Sequence, residues 1–214
     1  EMSLVENELT KIGNRLLFFS LWFKDLPERK AKEFIALSGK NRYYLESIRK
    51  TRQYTLGENE EKIINIKDVT GHSALTSVYN IFTSQFRFPF QGREMSQEEL
   101  TVKVRNPSPK IREQAYRALF TPYQKHKDVL GELYKNLIND WREENIGLRG
   151  YKNPIHVRNV GNDLPDEAVH TLLRVCEKNE HLFQRFFELK RKKLGLKKLQ
   201  RFDLYAPLQP RKEK

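Results

Sequence analysis

Apolar residues near the start of the chain step by four and three: Val5, Leu9, Ile12, Leu16, Phe19 and Phe23. That spacing lines one face of an α-helix and predicts a helix over residues 2–25. Its last two turns add Leu17, Phe18, Leu21 and Trp22, so they are apolar all round and are expected to be buried. Asp25-Leu26-Pro27 breaks this helix. A second is predicted to about residue 37, stopped by Ser38-Gly39, and a third over about 41–53. Thr55-Leu56-Gly57-Glu58 has capping-box spacing and is expected to open a helix carrying Ile63, Ile64 and Ile66. Ser73 is expected to cap the next.

The period then changes. In "FRFPFQG" (86–92) Phe86, Phe88 and Phe90 alternate with other residues, a strand signature, and Pro89 confines that strand to an edge. Gln91-Gly92 turns the chain, and "REMS" is read as the returning strand of a short hairpin. Ser96-Gln97-Glu98-Glu99 is a second capping box. Ser108-Pro109 reads as an N-cap followed by proline at the first helical position. From there Ala115, Leu119, Tyr123, His126, Leu130, Leu133, Leu137 and Trp141 hold one face to about residue 145, with either a kink or a new helix start at Pro122. Residues 147–167 read as a long Gly/Pro/Asn loop. The last long helix is predicted from Pro165 to about 194, ended by Gly195, and the tail from Arg201 as extended. The expected fold is therefore mainly α, a multi-helix array of antiparallel helices with at most one short β-hairpin near 86–96. The expected division is an N-terminal helical lobe over 1–106 and a long-helix region over 107–214.

Composition supports packing and narrows the partners. Of 214 residues 38% are hydrophobic, so a core is expected despite 32% charged residues. The single cysteine, Cys176, excludes an internal disulfide and a multi-cysteine zinc site, and it fits a reducing, cytoplasmic compartment. The longest apolar run, "LLFFSLWF" (16–23), is far below the roughly 20 residues of a membrane span. A net charge of +12 raises nucleic acid or another polyanion as a partner. Basic residues concentrate at Arg185, Lys190, Arg191, Lys192, Lys193, Lys197, Lys198 and Arg201. Phe186, Phe187 and Phe202 lie nearby and could stack bases, although Phe186 and Phe187 also fit the buried stripe of the last helix. The simpler reading of the run is a solvated face near a helix C-terminus, where cations are favoured.

Metal chemistry is the sharper question. "EKNEH" (177–181) is one residue short of the inverted zinc-peptidase motif H-x-x-E-H, with Glu177 where a histidine is needed. On one continuous helix His181 shares a strip with Glu177 and Arg185, while Cys176 points elsewhere; this reads as a solvated face with ion-pair partners. His126 lies on an apolar face and reads as a packing histidine. His170 sits beside Asp166 and Glu167 in a first helical turn, and His72 and His156 fall in loops without an identifiable carboxylate or thiol partner. No two histidines are four apart and H-E-x-x-H is absent. Of the carboxylate pairs Glu60/Glu61, Glu98/Glu99, Glu143/Glu144 and Asp166/Glu167, three fall at helix starts, which explains them without acid–base catalysis. No phosphate-binding glycine loop and no nucleophile elbow is present.

Five stretches carry a resemblance: "YYLESIRKTRQYTLGENEEKIINIKDVTGHSAL" (43–75), "FTSQFRFPF" (82–90), "SPKIREQAYRALF" (108–120), "ENIGLRGYKNPIHVRNVGNDLPDEAV" (144–169) and "HLFQRFFELKRKKLGLKKLQRFDLYAPL" (181–208). In this order and spacing they resemble the N-terminal portion of the oligoendopeptidase F family, zinc metallopeptidases related to thimet oligopeptidase. The resemblance implies a mostly helical enzyme that encloses a deep channel and hydrolyses oligopeptides. It also implies a zinc held by H-E-x-x-H and a further glutamate, well downstream of the "DLYAPL" segment (203–208). The chain is accordingly expected to be an excerpt, cut also at its front, that builds a wall of the channel, with wall residues drawn from 147–165 and 202–208. It is expected to be inactive alone, with the missing catalytic half as its partner. No catalytic, cofactor-binding or metal-binding residue is carried over to it. The competing readings are a free-standing basic module for nucleic acid or another polyanion, and a metal-free relative kept as a scaffold.

Overall fold

The computed structural model describes residues 2–208. The fold is mainly α, with one two-stranded antiparallel hairpin among the described residues. Contacts group the chain into two compact units, each drawn from two stretches. The first takes the chain up to Val78 together with Leu133–His170; the second takes Tyr79–Glu132 and the chain from Thr171.

In the first unit α1 (Met2–Asp25), α2 (Glu28–Leu37) and α3 (Arg42–Lys50) meet around Phe23, Ala31 and Leu45, with Leu26, Ile35 and Ile48 packed against them. Arg49 ties this corner together. Its guanidinium donates to the carbonyls of Phe23, Lys24 and Leu26, which the end of α1 leaves without helical partners, and to Glu28 Oε2 at 2.6 Å. The expected burial of α1 is only partly observed. Phe23 is buried, but Phe18 and Trp22 are exposed, as are Val5, Leu9, Ile12 and Leu16. The helix packs on α3 and on α4 (Glu58–Thr70) through another face, where Thr10, Asn14, Leu17, Leu21 and Lys24 are half-buried and Asn65 Nδ2 donates to Asn14 Oδ1 at 2.7 Å.

The capping box expected at Thr55 does not form. Gly57 is the N-cap of α4, and the Thr55 hydroxyl donates to the carbonyl of Thr51. Glu61 instead reaches back to accept from Leu56 N. α5 (His72–Ser84) begins one residue before Ser73, which is therefore inside it.

The second unit is built on the hairpin. β1 (Phe88–Phe90) pairs with β2 (Arg93–Met95), Phe88 opposite Met95. Gln91 and Gly92 both take positive φ, 51° and 80°, as a two-residue turn between twisted strands requires. Alternation sends Phe86, Phe88 and Phe90 inward against Met95, Leu100 and Ala115. Ser96 completes the expected capping box of α6 (Gln97–Lys103) with Glu99. α7 (Pro109–Lys125) starts behind Ser108 as expected and runs on through Pro122 without a new helix start there. It breaks at His126, after which α8 (Lys127–Arg142) begins. There the imidazole packs against both Phe82 and Phe86, 5.0 and 5.4 Å between ring centres, as a packing histidine.

Two further expectations are corrected. The loop read over 147–167 contains a helix, α9 (Pro154–Gly161), opened by Asn153, whose side chain accepts from His156 N at 2.9 Å. The last long helix is two: α10 (Asp166–Lys178) and α11 (Glu180–Lys193), separated at Asn179, whose side chain and backbone N–H both turn back onto the carbonyl of Val175. Gly195, at φ 65°, follows α11 as expected, and the tail forms a 3₁₀ turn over Arg201–Asp203.

Candidate functional site

The most built polar cluster lies in the first unit, where α8 runs into the segment 143–166. Beyond Arg142 the helix widens into a π turn, Glu143–Leu148, with Arg149 N donating to Glu144 O at 2.9 Å. The wider turn rotates Glu144 and Arg149 toward each other, and π turns recur at functional sites. Arg149 donates from Nη1 and Nη2 to the two oxygens of Glu61 at 2.7 and 2.9 Å, a bidentate pair. Its Nε donates to Glu144 at 2.7 Å and Nη1 also to the carbonyl of Tyr54 at 3.2 Å. Glu61 raises the guanidinium's proton affinity further. Burial pushes the Glu61 carboxyl up, but Arg149 and the Leu56 N–H outweigh it and hold it below the ordinary glutamate range. Nearby Lys24 is pushed down by burial, with Glu61 opposing.

A second network continues from it. The Tyr54 and Tyr151 rings stack with centres 3.6 Å apart. Tyr54 Oη lies 2.8 Å from His156 Nε2, and His156 Nδ1 lies 2.9 and 3.0 Å from the Asp166 oxygens. With the proton on Nδ1 and donated to Asp166, Nε2 accepts from the tyrosine. Lys152 and Asn159 also bind Asp166, the latter at 2.8 Å. Lys152 first, then Asn159 and His156, hold the Asp166 carboxyl well below the usual range. Asp163, at φ 55°, binds Lys50 and accepts from Tyr43 Oη at 2.6 Å; both hold its carboxyl down, Lys50 more strongly.

This corrects the reading of His156, expected in a loop without a carboxylate partner. Asn153-Pro154, an N-cap followed by proline at the first helical position, was the signal available for α9. Nothing local pointed to Tyr54, which lies a hundred residues away in sequence. Chemically the cluster is a clamp. Both imidazole nitrogens are engaged, and the acid and base that could relay a proton are bound to each other. The network fastens the segment 143–166 to the end of α3 and the start of α4.

The remaining candidates lie apart. His72, His170, His181, Glu177 and Cys176 are exposed. Because Asn179 interrupts the helix, Glu177 and His181 belong to different helices and do not share the strip expected of "EKNEH". Phe183, Phe186 and Phe187, expected in a buried stripe, are exposed. Within the basic run, Lys190 is buried with Nζ donating to Leu204 O at 2.6 Å, and Arg191 is held by Glu188 and the carbonyls of Leu196 and Lys197. Among the described residues no three His, Cys, Asp or Glu side chains cluster so as to hold a metal ion, and no helix is long and apolar enough to cross a membrane.

Known proteins resemble this chain along most of its length. It is 23% identical to an oligoendopeptidase F homolog of Borreliella burgdorferi over 96% of the chain, and 24% identical to the oligopeptidase PepF of Bacillus subtilis over 86%. It covers 35% and 28% of those relatives, so it spans about a third of their length. The crystal structure of oligoendopeptidase-F from Enterococcus faecium superposes with a TM-score of 0.77 at 18% identity, over 93% of this chain and 40% of that one. PZ peptidase A, solved with an inhibitor, gives 0.66 at 21%, over 94% and 34%. At these identities the structures speak for the fold alone. The profile of the family described as Oligopeptidase F matches residues 22–88, and that of peptidase family M3 matches residues 102–214, more than half of the 214. The chain belongs to peptidase family M3.

Proposed function

We propose that this chain is the N-terminal helical portion of an oligoendopeptidase F-like zinc metalloendopeptidase that hydrolyses oligopeptides in the cytoplasm. Its own role is to build a wall of the substrate channel. The observation that carries this reading is the pair of family matches over 22–88 and 102–214 in a chain spanning about a third of its relatives. The residues described do not fit a zinc site. A wall narrow enough to require an extended chain would admit peptides and turn away folded proteins. Its division into 1–106 and 107–214, with the second part leading into a catalytic domain, belongs to the same proposal.

The test is an assay with a quenched fluorescent peptide and added zinc. The full-length protein is expected to turn over the peptide and to lose activity with a chelator, while this chain alone shows none. Robust turnover by the chain alone would place the chemistry within it and overturn the non-catalytic role. A full-length protein inert under the same conditions would leave the scaffold reading instead.

A further inference from the structure

We propose that α1 is a pairing helix that joins two copies of this chain antiparallel through the apolar seam Val5, Leu9, Ile12, Leu16 and Phe19. The seam is exposed: Leu9 is 62%, Ile12 51% and Leu16 63% accessible. It is also separate from the half-buried face of Asn14, Leu17 and Leu21, on which Asn14 bonds Asn65 of α4. Its steps alternate four and three, the 3.5-residue period of a two-helix seam, and Phe18 and Trp22 widen the exposed apolar surface at its C-terminal end.

Charge selects the occupant and its direction. Glu8 and Arg15 each precede a seam residue, Leu9 and Leu16, so they flank the seam on one side. An antiparallel pair that sets Leu9 against Ile12 of the second copy, and Val5 against Leu16, brings Glu8 opposite Arg15 of the second copy. Two-fold symmetry makes that contact twice. Parallel pairing would set Glu8 toward Gly13 and Arg15 toward Ser20, with no ion pair. Glu8 already accepts from Lys11 of its own helix at 2.6 Å, and a carboxylate has oxygens enough for both cations.

Sedimentation of this chain across a concentration series tests the proposal. A monomer–dimer equilibrium is expected, abolished by Ile12→Lys with helicity unchanged. Glu8→Arg converts both cross-pairs to repulsion and is expected to weaken dimerisation about tenfold. Adding Arg15→Glu restores opposite charges and is expected to bring affinity back to within about threefold. A clean monomer at all concentrations overturns the proposal. So does a dimer that survives Ile12→Lys, or one lost instead in Phe183→Lys on α11. Failure of the double charge swap to recover affinity excludes the antiparallel register. None of these outcomes depends on peptide hydrolysis.

Discussion

Arg112 and Asp203 are each almost inaccessible, at 1% and 2% exposure, and lie 91 residues apart. Arg112 Nη2 donates to Asp203 Oδ1 at 2.6 Å, and Nη1 donates to the carbonyls of Asn106 and Pro107, so one side chain ties the start of α7 to the tail. A buried pair is costly to break from one side, because the remaining charge has no water to solvate it. Asp203→Leu is expected to destabilise the chain by roughly 3–5 kcal/mol. Arg112→Met with Asp203→Leu is expected to cost less than the sum of the single changes, since no orphan charge is left; a chemical-denaturation cycle measures the coupling. Asp166 supports a prediction with pH. Its folded pKa is depressed, so its contribution is present above the unfolded value, roughly pH 4, and is lost as pH falls toward the folded one. Asp166→Asn is expected to flatten the acid limb of a stability–pH curve. An unchanged limb would mean that Lys152, Asn159 and His156 hold Asp166 no better in the folded chain than water does. Nothing in the sequence pointed to Arg112 and Asp203 as a buried pair. An arginine in an amphipathic helix reads as a surface residue until its partner, far along the chain, is known.

At the scale of elements, local chemistry was most legible where it was self-contained. The Phe86, Phe88, Phe90 alternation, the Gln91-Gly92 turn and the Ser96–Glu99 capping box all formed as expected because each is satisfied within a dozen residues. Phe88 is 1% exposed in the core of the second unit, so Phe88→Ala is expected to cost about 3–5 kcal/mol in a denaturant titration. Gly92→Ala, at φ 80°, is expected to cost about 1–2 kcal/mol, with the hairpin's amide exchange rising first. Helix breaks were less legible. Proline at 122 was tolerated inside α7, while His126 and Asn179 ended helices without a proline or glycine. At His126 the ring packs against two phenylalanines; at Asn179 a side-chain amide competes for a helical carbonyl. Both are choices that packing makes among conformations of similar local energy.

At the scale of the molecule, two of the eight cations in the 185–201 run, Lys190 and Arg191, are committed to carbonyls and to Glu188, which leaves a smaller charge for a polyanion than the sequence offers. A gel shift with generic RNA or DNA is expected to show at most weak retention at low salt and none at about 0.15 M. Retention at that salt would revive the polyanion reading. The apolar side chains exposed along α1, α10 and α11 are the larger feature. Exposure on this scale marks surfaces that bind something. On α1 the flanking Glu8 and Arg15 supply the argument for a second copy made above.

The sequence by itself determined what short-range physics controls: the helical class, the one hairpin, its turn, most helix starts, and the family through motifs in a fixed order. Tertiary structure alone decided which face of α1 is packed. It also decided that 147–167 holds a helix, that Tyr54 and Asp166 close on His156, and that Arg112 is buried on Asp203. Periodicity states that a helix has an apolar face but not which neighbour arrives to cover it. Ion pairs spanning tens of residues exist only once the chain has brought their partners together.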